Sequence, residues 1–195
     1  MIGRTAPALP LVTLLGDSIS AGYGLRAAEA LSVRLEQELG SLGRRVTVLG
    51  AGVDGDTTTA GLARVDRDVP NHTDLCVVAL GANDLMQARS PAAVEADLDA
   101  ILDRLAARGI AALLCGMRAP PWLTDYAPKF DAVFASVARR HRVPLYPFLL
   151  DGVALDPRFN LPDRIHPNAA GIEIIARGLA PVVDQALTDN GAVAS

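Results

Sequence analysis

Five short apolar runs, separated by longer stretches of helical period, constrain this chain more than any other feature. LVTLLG (11–16), VTVLG (46–50), LCVVALG (75–81), IAALLCG (110–116) and VPLYPF (143–148) each have strand length, and four of the five stop at glycine. Apolar runs that do not alternate suit strands covered on both faces, as in a parallel sheet flanked by helices. Between them Leu31, Leu35, Leu39 and Leu42 recur at helical spacing, as do Val94, Leu98, Ile101, Leu102 and Leu105 behind Ser90-Pro91 and ahead of Gly109. A further helix should carry Val133, Phe134 and Val137. A last one should carry Ile172, Ile175, Leu179 and Val182, with Pro181 as a point where it kinks or breaks. This alternation predicts an α/β fold assembled from βα units.

The chain has 195 residues, and no repeat, linker or low-complexity tract divides it, so it is read as one domain spanning 1–195. It is half hydrophobic with only 4% aromatic residues, which predicts an aliphatic core. The formal charge of −4 is spread in mixed sign, without the basic stripe that nucleic acid requires or a polybasic membrane anchor. Residues 1–10 lack the apolar core of a secretory leader, and no run approaches the ~20 apolar residues of an integral membrane segment. As written the chain reads as cytoplasmic, or as periplasmic or secreted if a leader has been removed. Cys76 and Cys115 lie inside apolar runs and read as small buried hydrophobes. Three histidines without Cys/His pairing at ligand spacing predict no metal site, and no cofactor motif is present. Nothing in the sequence fixes an oligomeric state.

In an open parallel sheet, ligands bind beyond the carboxyl ends of the strands. The polar segments gather there: GDSIS after the first strand, GAGVDGDTTTAG after the second, GANDLMQ after the third, and LPDRIHPNAAG before the last helix. Ser18 taken alone is either a nucleophile or a cap for the next helix. His166 supplies a possible base. It stands three residues after Asp163, a spacing that puts both side chains on one face of a helical turn. A carboxylate on one ring nitrogen fixes the tautomer and leaves the other nitrogen to take a proton from Ser18. The competing reading of DRIHPN is a helix start capped by Asp163 or Asn168. His72 lies in a polar turn and His141 near a helix C-terminus, and neither suits the role.

Acyl transfer also needs donors for an oxyanion. Gly55 can offer a backbone N–H, Asn83 a side-chain amide, and Ser18 its own N–H. Taken alone, GVDGDTTTAG is a turn and helix cap with Asp56 or Thr57 as the capping oxygen, and GAND is a turn with Asn83 or Asp84 bonded to its own backbone. Asp17, Asp54, Asp56 and Asp84 read as turn and cap residues, since none has the spacing of Asp163 from His166.

Together GDSISAGYG, GVDGDTTTAGLARV, LGAND and DRIHPNAAG resemble, in order, the four blocks of the SGNH hydrolases, or GDSL esterases and lipases. The similarity spans nearly the whole chain and is strongest to the small bacterial arylesterase and multifunctional thioesterase/lysophospholipase branch. It implies a three-layer α/β/α, flavodoxin-like sandwich with a five-stranded parallel sheet in order 2-1-3-4-5. It also implies Ser18 as nucleophile, His166 as base, Asp163 as orienting acid, and Ser18, Gly55 and Asn83 around the oxyanion, with no cofactor. Ala82 and Arg164 stand where close relatives often carry glycine.

The expected activity is hydrolysis of small-molecule esters or thioesters through an acyl-enzyme. For the substrate wall, CGMRAPPWLTDYAPKF offers Met117, Trp122, Leu123 and Tyr126 as apolar surface for an acyl or aryl group; the competing reading is that Trp122 and Met117 merely pack the loop down. No lid-like amphipathic segment is evident, which favours short or medium acyl and aryl esters. Lysophospholipase, acyl-CoA thioesterase and carbohydrate deacetylase would use the same machinery. A noncatalytic module holding a phosphorylated ligand on the GDSIS amides is the alternative of a different class.

Overall fold

The computed structural model describes residues 9–193, so residues 1–8, on which most of the leader reading falls, lie outside it. The apolar runs form the interior of one parallel sheet. β1 (Leu11–Gly16) and β3 (Leu75–Ala79) are its centre, and β3 is buried throughout. β2 (Thr47–Gly52) and β5 (Leu145–Tyr146) are the edges, with β4 (Ala111–Cys115) between β3 and β5, giving the order β2-β1-β3-β4-β5. β5 shrinks to two residues between Pro144 and Pro147, which have no N–H for a ladder.

β2 extends two residues beyond the expected stop because its register on β1 continues to Gly16 opposite Gly52. Two glycines end these strands for a steric reason. A Cβ on Gly52 would lie 2.2 Å from the Ala21 nitrogen, and one on Gly16 2.8 Å from the Ala79 carbonyl. The short helix α1 (Ser18–Ala21) can therefore sit directly on the strand ends.

Helices cover both faces. α2 (Leu31–Ser41) packs on α7 (Ala169–Val193), while α3 (Thr58–Asp68) packs on α5 (Pro91–Ala107) and α5 on α6 (Ala127–His141). A short α4 (Ala82–Met86) follows β3. On α5, Ser90 caps the start by accepting from the Ala93 N–H, Pro91 occupies the first turn, and all five predicted apolar positions are buried. Burying each such side chain contributes roughly 1.5–3 kcal/mol before entropy.

Two stripe positions differ from expectation. Leu42 falls past the end of α2 and is exposed. Val182 is half-buried, because the period of α7 runs Ile172, Ile175, Ala176, Leu179, Ala180 and Val183. α7 also passes through Pro181 without interruption. Pro181 and Arg177, whose carbonyl loses its helical partner, are both exposed, so that carbonyl is not sealed in the core.

The first crossover uses one face of the sheet and the later ones the other. The connections therefore diverge between β1 and β3, which opens a crevice at their carboxyl ends.

Candidate active site

Chain reversal at the end of β1 puts Asp17 and Ser18 at the floor of that crevice. Asp17 caps α1 by accepting from the Ile19 N–H at 3.0 Å through Oδ1. Its Oδ2 is buried without a partner. Desolvation pushes this carboxyl up to about 7, the helix-start amides opposing only part of the shift. Ser18, the next residue, is almost fully buried.

The second half of the site is a loop that Asp163 folds around itself. Its Oδ1 accepts from the Ile165 N–H at 2.9 Å and the His166 N–H at 3.0 Å, while Oδ2 accepts from His166 Nδ1 at 2.7 Å. The backbone bond from Ile165 is the largest of the contacts that hold this carboxyl at about 2. The expected helical turn is absent, because Arg164 adopts φ +62°, in the left-handed region. That conformation suits glycine, so Arg164 occupies it at some cost. Asn168, not Asp163, caps α7 by accepting from the Gly171 N–H at 3.0 Å.

The two halves meet at His166. An ionised Asp163 can only accept, so Nδ1 of the neutral ring carries the proton and Nε2 faces the Ser18 hydroxyl as acceptor at 3.1 Å. Tyr23, from the Ser18 corner, stacks on the imidazole with ring centroids 4.2 Å apart. Sequence reasoning missed that contact, although Tyr23 lies within the first block. The arrangement can pass a proton from a hydroxyl to an imidazole whose other edge is fixed by a carboxylate.

Asn83 is buried in the first turn of α4 and donates from Nδ2 to the Asp56 carbonyl at 2.9 Å, leaving a second amide hydrogen. Neither turn alternative for GAND holds, since Asp84 also bonds away from its own segment, accepting from the Thr58 N–H and hydroxyl at 2.8 Å each. Gly55 lies in an exposed turn at φ +79°, closed by the Asp56 N–H donating to the Val53 carbonyl at 3.2 Å. Thr57 caps α3, as the competing reading allowed.

One buried side chain that the sequence reading passed over ties this loop to the serine corner. Arg64 donates to the Gly16 carbonyl at 2.7 Å, to the Ala51 carbonyl at 2.8 Å and to the Asp56 carboxylate. The ends of β1 and β2 and the Gly55 turn thus share one guanidinium.

Beside Ser18 and His166 opens a largely apolar cavity of about 570 Å³. Of the four residues read as a substrate wall, Met117 and Leu123 line it. Trp122 and Tyr126 do not. Trp122 points to solvent, and Tyr126 stacks on Phe130 while its hydroxyl donates to the Arg89 carbonyl at 2.8 Å. Their places go to Phe148, Leu150 and Leu155, from a segment after β5 that carried no motif. Neither Gly55 nor Asn83 lines this apolar chamber.

The other candidates lie elsewhere. His141 meets Asp99 at 2.9 Å on α6 and α5, and His72 is exposed in a loop. Cys76 and Cys115 are buried free thiols, and burial raises both, Cys76 to about 12. Among the described residues, no helix is long and apolar enough to cross a membrane.

Residues 14–174 match the model of the GDSL-like lipase/acylhydrolase family. The chain is 34% identical over 177 residues to thioesterase 1/protease 1/lysophospholipase L1 of Escherichia coli K12, covering 90% of this chain and 84% of that one. It is 31% identical over 169 residues to an arylesterase of Vibrio mimicus, covering 86% and 84%. The crystal structure of AlinE4, an SGNH-hydrolase family esterase, superposes with a TM-score of 0.77 at 38% identity, covering 94% and 99%.

Proposed function

The chain belongs to the GDSL-like lipase/acylhydrolase family, the SGNH hydrolases, and from that premise we propose that it cleaves carboxylic esters through an acyl-enzyme on Ser18. Ester hydrolysis is the activity its similar relatives share by name. The observation that carries the finer reading is the 3.1 Å contact between His166 Nε2 and Ser18 Oγ, made by residues 148 positions apart.

In this reading Ser18 Oγ attacks the ester carbonyl as Nε2 takes its proton. Asp163 keeps the Nδ1 tautomer and stabilises the imidazolium. The tetrahedral oxyanion is met by the Ser18 N–H, which has no intrahelical acceptor at the start of α1, by the Gly55 N–H and by the second Asn83 amide hydrogen. The imidazolium then protonates the departing alcohol, and water repeats the sequence to release the acid.

Met117 and Leu123 border the chamber that would take the acyl or aryl group, and its size and apolar lining support short or medium chains. The Escherichia coli relative's name brings thioesters and lysophospholipids into the same test panel. Family membership removes the reason to read GDSIS as a phosphate cradle, and α1, at four residues, is a weak dipole for one.

A fluorophosphonate probe should label the protein at Ser18 and leave Ser18→Ala unlabelled; labelling of that variant would refute the nucleophile. A chain-length series of p-nitrophenyl esters should peak at short or medium acyl groups. A peak at long chains overturns that preference.

A further inference from the structure

The mouth of the cavity is more apolar than a water-facing surface needs to be. Met86, Leu155 and Ile165 line the chamber yet are 55%, 68% and 52% exposed, so each stands at the opening with its side chain in water. Trp122, between the lining residues Pro121 and Leu123, is 67% exposed. Large apolar groups clustered on one face mark an interaction site, whereas scattered ones carry no such meaning.

Charge at the opening indicates what covers it. The chain is net negative, yet the only fully charged side chains lining the cavity are Arg118 and Arg164, and no Asp or Glu lines it. Among the described residues neither guanidinium has a carboxylate within salt-bridge distance, and Arg118 instead lies over the Phe148 ring at 5.4 Å. An apolar collar with a tryptophan at its edge and unpaired cations beside it matches the interface of an anionic lipid layer. There, indole sits at headgroup depth and each arginine gains from the surface potential.

We propose that this collar seats the protein on anionic lipid surfaces, with the active-site opening facing the layer. An acyl ester held in the layer would then reach Ser18 through the chamber without crossing bulk water. The docking is separate from the hydrolytic reading and is tested without turnover.

Trp122 is the chain's single tryptophan, so its emission reports this face alone. Ser18→Ala protein mixed with phosphatidylglycerol/phosphatidylcholine vesicles should show a blue shift of that emission and float with the vesicles. Pure phosphatidylcholine should capture it weakly. Arg118→Gln combined with Arg164→Gln should weaken flotation roughly twenty-five-fold, about fivefold per guanidinium. Trp122→Ala should cut flotation several-fold while p-nitrophenyl acetate turnover, measured with Ser18 intact, stays within about twofold. An unshifted emission with no flotation on either vesicle overturns the proposal. So does a shift that grows with protein concentration in the absence of lipid, which would assign the collar to a second copy of this chain. Equal capture by neutral vesicles would refute the role of the arginines and with it the anionic partner.

Discussion

The serine corner and the histidine loop hold aspartates in opposite conditions. Asp17 is fully buried, one oxygen has no partner, and desolvation raises it to about 7. Asp163 is at the surface, accepts three hydrogen bonds, and is held at about 2. Burial protects the backbone geometry that aims Ser18. Hydrogen bonding keeps an acceptor ionised beside the imidazole that, in the proposed cycle, becomes a cation. The difference teaches that the two aspartates are not interchangeable, although each adjoins one partner of the Ser18–His166 contact.

Removing either reacting group gives the largest expected effect. Ser18→Ala and His166→Ala should each lower kcat by roughly 10⁴–10⁶ with the thermal midpoint nearly unchanged. Wild-type-like turnover in either folded variant would break the link between the halves. Asp163 separates charge from loop folding. Asp163→Asn keeps an oxygen for the Ile165 and His166 amides but loses the fixed tautomer, so kcat should fall about 10⁴-fold while those amides stay protected from hydrogen exchange. Asp163→Ala should lose both; equal amide protection in the two variants would show that the carboxylate does not fold the loop. Asn83→Ala should reduce kcat about 10²–10³-fold with little change in KM. A change confined to KM would make Asn83 a substrate contact.

The smallest effect is on stability. Between the unfolded value of 3.8 and the folded value of about 7, the native Asp17 carboxyl holds a proton that the unfolded chain has released. Its contribution to stability is therefore complete below 3.8 and declines as pH rises through 7, by on the order of 2–4 kcal/mol. Asp163 acts in the opposite sense, its contribution present above 3.8 and lost as pH falls through about 2. Urea unfolding at pH 5 and pH 8 should show a smaller pH difference in Asp17→Asn than in the wild type. Identical differences would refute the raised value.

Much of this was legible in the sequence because burial on both faces leaves uninterrupted apolar runs, and β1, β3 and β4 follow theirs closely. β2 and β5 were less so, since glycine register and flanking prolines fix their ends. Ser18, Asp163, His166 and Asn83 were visible as residue types in ordered blocks. The bond from Asn83 to the Asp56 carbonyl was not visible, because it depends on two loops meeting across 27 positions. Arg64 was hidden by its charge, which ordinarily signals solvent; its spacing two helical turns from Asp56 was the available clue. Trp122 and Tyr126 show the reverse limit. An apolar residue in a loop can face inward, outward or a neighbour, and only the turn geometry decides.

The absence of Cβ atoms at Gly16 and Gly52 has a consequence for how such an enzyme diversifies. With backbone packed against backbone at Gly16 and Gly52, a side chain at either position would force the serine corner to shift, so these two positions are closed to exchange. Variation in what fits the chamber is open instead where side chains border its space, at Leu85 and Met86 after β3 and in the segments that follow β4 and β5.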